Sequence, residues 1–187
     1  MERLHLSWED LLQLVRRLAE ALSGEPFDLV LGVARGGLIP TALLAQALGA
    51  RNILTAAVMF YEGEEALPEP VFLQFPPDVL LFGKRVLVVE GVWDSRRTAF
   101  AVKARVRRAG GVPVVATLHF QPGGTRVPDR PDFYAEETAA WVVYPWALEA
   151  WPKGSYPSGC LRPTGPGKLP RELLPGPPCW RSQHGVV

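Results

Sequence analysis

Apolar residues recur at helical spacing at Trp8, Leu11, Leu12, Val15, Leu18, Ala19 and Leu22, which predicts an amphipathic helix of about four turns. Ser7 and Asp10 stand at its head as a capping box, with Asp in the place usual for Glu. The pattern then changes period. Asp28 to Ala34 is a short, nearly all-apolar run, and after Arg35-Gly36-Gly37 comes Pro40 to Ala47, closed by Gly49. That order predicts a strand, a tight loop and a helix with proline in its first turn and glycine past its end. Strands are predicted again over Asn52 to Phe60, Arg85 to Glu90, Val112 to Phe120 and Ala140 to Tyr144, with a helix over Thr98 to Ala109. Apolar strands alternating with helices predict an α/β fold whose central, mainly parallel sheet is covered on both faces.

Composition narrows this further. The 187 residues are 48% hydrophobic, enough for one domain with a core and too few for two large ones. Residues 151–187 hold eight prolines and six glycines. A stretch so rich in helix and strand breakers predicts a disordered or loosely docked extension, leaving 1–150 as the folded domain. Lys and Arg number 20 against 19 Asp and Glu, a net charge of +1, and residues 1–150 alone carry 15 basic and 18 acidic side chains. Nucleic acid is therefore not an expected partner. Neither Cys160 nor Cys179 sits in a CxxC pair, and His5, His119 and His184 share no ligand spacing, so neither a disulfide scaffold nor a zinc site is expected. No apolar run approaches the roughly 20 residues of a membrane span, and a cytoplasmic protein without a membrane partner is expected.

In a sheet of this kind ligands sit at the carboxyl ends of the strands. After Ala34 the loop offers Arg35, a forked donor suited to phosphate, and Gly36-Gly37, which permit close backbone approach next to a helix N-terminus. After Val86-Leu87-Val88-Val89 come Glu90 at an expected strand tip, Asp94 in the loop, and Ser95 and Thr98 flanking a helix start. Carboxylates at one end with hydroxyls and amides at the other suit a molecule carrying both sugar hydroxyls and a phosphate. The plainer alternatives are a glycine turn, an N-cap at Asp94 and a solvated strand end at Glu90. Trp8 reads as core or hood packing, His119 as a satisfied histidine at a sheet edge, and Lys103, Arg105, Arg107 and Arg108 as cations on the last turns of a helix facing water.

Together, Ala34-Arg35-Gly36-Gly37, Glu90-Gly91-Val92-Trp93-Asp94-Ser95-Arg96-Arg97-Thr98 and Trp141-Val142-Val143-Tyr144-Pro145-Trp146 resemble three motifs of the type I phosphoribosyltransferases, particularly the xanthine-guanine and related bacterial purine members. The resemblance runs from about Trp8 to Trp146. It implies that fold, with a small hood, and transfer of ribose 5-phosphate from phosphoribosyl pyrophosphate (PRPP) to a purine-type base with release of pyrophosphate. By the same resemblance Arg35, Gly36 and Gly37 would hold pyrophosphate. Glu90 would accept from a ribose hydroxyl and meet Mg²⁺ through those hydroxyls or water. Ser95, Arg96, Arg97 and Thr98 would surround the 5′-phosphate, and Asp94 would take the base's proton. Trp141 would stack on the base, Val142 would offer it backbone groups, and Gln121 would lie near its exocyclic oxygen. Members of the family commonly self-associate, so a homo-oligomer is among the expected states.

Four positions depart from the family pattern. Gly91 stands in place of the second acid, Arg96 in place of the glycine of the phosphate cradle, and Gln121 in place of a lysine. Tyr61 to Gly83, which corresponds to the mobile loop over the substrate, contains five acids and no Lys or Arg. The alternative to an active transferase is a catalytically impaired member that binds nucleotide or PRPP as a regulator or relic. A dinucleotide-binding fold would need a G-x-G-x-x-G fingerprint after the first strand, which Gly32-Val33-Ala34-Arg35-Gly36 does not supply.

Overall fold

The computed structural model describes residues 2–62, 65–93, 98–124 and 129–147, with the side chains of residues 60–69 and 124 outside the description. Asp94, Ser95, Arg96, Arg97 and the Pro/Gly-rich extension therefore lie outside the described residues. Eight strands and three helices are described. They are β1 (Arg3–His5), α1 (Trp8–Ala21), β2 (Leu29–Ala34), α2 (Leu38–Ala47), β3 (Ile53–Glu62), β4 (Glu65–Gln74), β5 (Arg85–Trp93), α3 (Thr98–Arg108), β6 (Val112–Phe120), β7 (Phe133–Glu137) and β8 (Trp141–Val143). Among them no helix is long and apolar enough to cross a membrane.

Six strands form the central sheet in the order β4-β3-β2-β5-β6-β7. All neighbours are parallel except β3 and β4. The interior strands are apolar on both sides because both faces are covered. Leu31, Val33, Val86, Val88 and Val115 join Val102 and Val106 of α3 in one core, and Val30, Leu87, Val89 and Ala116 join Leu11, Leu14, Leu18 of α1 and Leu44 of α2 in the other. Burying each such side chain contributes roughly 1.5–3 kcal/mol relative to leaving it in water. The capping box at the start of α1 is present, with Ser7 Oγ accepting from the Asp10 N–H at 3.1 Å and Asp10 Oδ2 accepting from the Ser7 N–H at 2.8 Å. The Ser7 hydroxyl also donates to Asp10 Oδ2 at 2.6 Å, and this bond, with the one from the Ser7 N–H, holds the Asp10 carboxyl below its usual value.

Three expectations change. The segment expected to be a loop after β3 contains β4, which turns back antiparallel along the sheet edge. Glu90 is not a strand tip, because β5 runs three residues further, through Gly91 and Val92 to Trp93, paired with β6. Lys103 does not face water. It is 4% exposed, and its ammonium lies 3.0 Å from Asp129 and 3.8 Å from Asp132.

Beside the large sheet, β1 and β8 pair in parallel as a two-stranded hood. Trp8 is half-exposed, outside the core, with its ring centroid 6.5 Å from that of Trp146 just after β8.

Candidate active site

Chain order places the site. From β2 the chain moves outward through β3 to β4, then crosses back to β5 on the other side of β2 and moves outward through β6 to β7. The carboxyl ends of β2 and β5 therefore flank the point where the sheet order reverses, which leaves a crevice between two loops diverging in opposite directions. The β2–β5 ladder ends with Gly32 opposite Val89. Beyond it, β5 continues on β6 alone, and the notch left beside Glu90 and Gly91 is filled by the loop Arg35-Gly36-Gly37.

That loop is glycine for reasons of space. A Cβ on Gly37 would overlap the Val89 carbonyl oxygen and lie 2.7 Å from the Val33 carbonyl oxygen, and one on Gly36 would lie 2.8 Å from Glu90 Oε1. The peptide between Ala34 and Arg35 is cis. The turn is closed by the Gly37 N–H donating to Val33 O (2.8 Å) and the Leu38 N–H donating to Arg35 O (3.2 Å), and α2 starts at once with Gly37 as its N-cap and no side-chain cap. Arg35 is exposed at the rim. The result is a helix start beside the Glu90 carboxylate with Arg35 exposed at the rim, a setting that can receive an anion on one side and hydroxyl groups on the other.

Glu90 is half-buried, and its Oε1 accepts from the Gly91 N–H at 3.0 Å. Gly91, where an acid was expected from the family pattern, is buried against the glycine loop. A Cβ there would lie 3.1 Å from the Gly36 carbonyl oxygen and 3.6 Å from Tyr144 Cε2. Thr98 is the first residue of α3.

At the hood, Trp141 is 43% exposed. The Trp141 N–H donates to Glu2 O and the Leu6 N–H donates to Val143 O, which fixes the phase of the parallel ladder. Trp141 and Val143 turn their backbone groups toward β1, and Val142 turns its N–H and C=O away from it. Gln121 follows β6, and its Nε2 donates to Ala140 O at 2.6 Å. It thus holds the residue that leads into β8.

Two further residues shape this site: Tyr144, for which sequence alone suggested no role, and His119, read as a satisfied edge histidine with substrate contact as the alternative. The Tyr144 hydroxyl donates to the Gly91 carbonyl oxygen at 2.8 Å and lies 2.8 Å from His119 Nδ1. A carbonyl only accepts, so Tyr144 donates to Gly91 and accepts from Nδ1–H of a neutral His119. His119 is fully buried on an interior strand, not at a sheet edge, and its Nε2 has no hydrogen-bond partner among the described residues. Burial holds its pKa below the ordinary histidine value, opposed by the charge of Glu136. The Tyr144 phenol is pushed well above its ordinary value by burial and by the Glu90 charge. A lone histidine in an apolar strand, and a tyrosine beside Pro-Trp, were the only signals available.

The Gluconobacter oxydans xanthine-guanine phosphoribosyltransferase is 33% identical over 145 residues, 75% of this chain and 82% of that protein. The Idiomarina loihiensis protein of the same name is 32% identical over 147 residues, 76% of this chain and 86% of its own. Among solved structures, the purine phosphoribosyltransferase from Pyrococcus horikoshii has a TM-score of 0.68 at 35% identity, covering 81% of this chain and 97% of that one. A Neisseria gonorrhoeae protein solved with bound ppGpp has a TM-score of 0.65 at 25% identity, covering 79% and 90%. No protein-family model matches the chain. The mainly parallel six-stranded sheet flanked by helices, with its separate β1–β8 pair, is the type I phosphoribosyltransferase fold. Within it, the chain belongs to the xanthine-guanine phosphoribosyltransferase family.

Proposed function

We propose that the protein transfers ribose 5-phosphate from PRPP to a purine-type base, releasing pyrophosphate, in the cytoplasm. The observation that carries this reading is the meeting of the Gly36-Gly37 loop and the Glu90 carboxylate at the point where the sheet order reverses, facing a hood with an exposed tryptophan. A ring nitrogen of the base attacks the anomeric carbon as the bond to pyrophosphate breaks, and the bonding pair leaves with pyrophosphate. Positive charge develops on the sugar and negative charge on the leaving group, so positioning and fixed dipoles supply the catalysis. The Gly36 N–H with Arg35 receives pyrophosphate, and Gly37, whose own N–H is held by Val33 O, gives the loop the room to approach it. Glu90 accepts from a ribose hydroxyl, and Ser95, Arg96, Arg97 and Thr98 receive the 5′-phosphate. Asp94 takes the proton that the base loses. Trp141 stacks on the base, Val142 meets its edge with the backbone groups turned away from β1, and Gln121, whose Nε2 also donates to Ala140 O, lies near its exocyclic oxygen.

A single carboxylate beside the loop fits Mg²⁺ that arrives with PRPP, because pyrophosphate, ribose hydroxyls and water supply its other oxygen ligands. Glu90 would meet it through the ribose hydroxyls or water, and the ion would neutralise charge on the leaving group. Gly91 in place of a second acid favours one further reading, a member that binds nucleotide without turnover. Supplying PRPP, Mg²⁺ and guanine, xanthine or hypoxanthine and measuring pyrophosphate separates the two. Release with at least one base is expected. Micromolar GMP binding with no release from any base would leave the nucleotide-binding regulator.

A further inference from the structure

The Gly91 peptide groups are engaged on both flanks by side chains of the site. On one side the Gly91 N–H donates to Glu90 Oε1 at 3.0 Å, and on the other the Gly91 C=O accepts from the Tyr144 hydroxyl at 2.8 Å. Tyr144 follows β8 directly, one residue after Val143 and three after Trp141. Its ring is buried in the core shared by α1, β5 and β6, and stacks on Trp146 with centroids 4.4 Å apart and planes 7° from parallel. A ring so held has little freedom, so its hydroxyl is a fixed point. The His119 imidazole completes it by donating from Nδ1.

We propose that Tyr144 is a positioning residue of the transfer site, whose hydroxyl ties the hood strand to the Gly91 peptide and, through Gly91, sets the Glu90 carboxylate against the Gly36-Gly37 loop. The Gly91 N–H, donating to Glu90 Oε1, keeps that carboxylate in one orientation. Glycine suits the position because a Cβ at 91 would lie 3.1 Å from the Gly36 carbonyl oxygen, a tight contact that the loop could relieve only by shifting away from Gly91. His119 acts one step further back, by fixing which way the hydroxyl hydrogen points. This inference rests on the proposed transferase reading, since PRPP is the ligand whose ribose Glu90 meets.

The test uses the full chain and measures Mg²⁺–PRPP affinity by calorimetry, which needs no turnover, alongside the KM of each substrate and the thermal midpoint. Tyr144→Phe keeps the ring and its stack and removes only the hydroxyl. It leaves a buried carbonyl unpaired, for which about a tenfold loss of PRPP affinity is expected, with a smaller change in the KM of the base. His119→Leu, which keeps the Tyr144–Gly91 bond, is expected to weaken PRPP binding less than Tyr144→Phe. His119→Gln, whose amide can donate to the hydroxyl, is expected to lie nearest the wild type. A PRPP Kd unchanged in Tyr144→Phe, or one that moves no more than the KM of the base, overturns the proposal even if the thermal midpoint falls. If the wild type binds PRPP but releases no pyrophosphate, the transferase reading fails while the Kd comparison still decides the role of Tyr144. If the wild type does not bind PRPP, both fall.

Discussion

Gly91 concentrates the chemistry of this site at one position. Restoring an acid there by Gly91→Asp would place a Cβ 3.1 Å from the Gly36 carbonyl oxygen and a second negative charge beside Glu90 in a buried spot. The crowding alone is an overpacking of about 1–3 kcal/mol, and like charges that close disfavour ionisation of both. Gly91→Asp is therefore expected to lower kcat/KM for PRPP by about tenfold or more, and Gly91→Ala by less. Steady-state pyrophosphate release measures both, and a rise in either variant would mean that the position is a lost acid rather than a fitted glycine. At His119 the consequence is pH dependence. The folded chain holds this group below its ordinary pKa, so the unfolded chain takes up a proton as pH falls through about 6.5 and the folded chain resists it. Stability from this group is present above that pH and is lost on acidification. Comparing thermal midpoints between pH 7.5 and 5.5 is expected to show a steeper fall for wild type than for His119→Gln, which removes the titration. Parallel profiles would place the proton elsewhere.

At the scale of elements, α3 is fastened to the sheet from beneath. Lys103 reaches Asp129 at 3.0 Å, and Asp132 Oδ2 accepts from the Val115 N–H on β6 at 2.7 Å, so the segment between β6 and β7 is tied to both layers. Lys103→Met keeps the apolar stem and removes the charge. Because Asp129 and Asp132 retain access to water, the loss is expected at about 1–3 kcal/mol rather than the larger cost of stranding a fully buried ion. The denaturation midpoint reports it, and Lys103→Met with Asp129→Asn is expected to recover part of the loss. Sequence had read Lys103 as solvated because it shares a helix turn with Arg105, Arg107 and Arg108, and helical spacing alone does not reveal a carboxylate 26 residues away. The same division holds for the strands. β2, β5 and β6 were legible because both faces are buried and each reads as a continuous apolar run, and β3, though only partly buried, because Ile53 to Phe60 is apolar at all but Thr55. β4 was not, since Glu65-Ala66-Leu67-Pro68-Glu69-Pro70 breaks every strand pattern, and only its place at the sheet edge makes proline tolerable. The glycine loop and Glu90 were legible as residues. Their contact was not, because it depends on where the β2–β5 ladder stops. Nor was the Tyr144–Gly91 bond, which joins positions 53 residues apart.

At the scale of the whole molecule, both described cores are built from residues between Leu6 and Trp146. The last structural contacts on that stretch are aromatic. Tyr144 lies in the core, Trp146 stacks on it, and Trp8 at the head of α1 lies against Trp146, so the end of the hood closes over the first helix. Two truncations separate what this closure contributes. A chain ending at Ala147 keeps every described element, the stack and the Tyr144–Gly91 bond, and is expected to unfold within a few degrees of the full chain and to keep its PRPP affinity. A chain ending at Val143 keeps β8 but loses Tyr144 and Trp146. Removing a buried aromatic side chain alone costs about 3–5 kcal/mol, which is a large share of the roughly 5–15 kcal/mol that holds a domain together. That shorter chain is expected to lose cooperative unfolding and PRPP binding together. If instead the Ala147 truncation already loses both, residues beyond 147 contribute to the fold, and the folded domain does not end where these cores do.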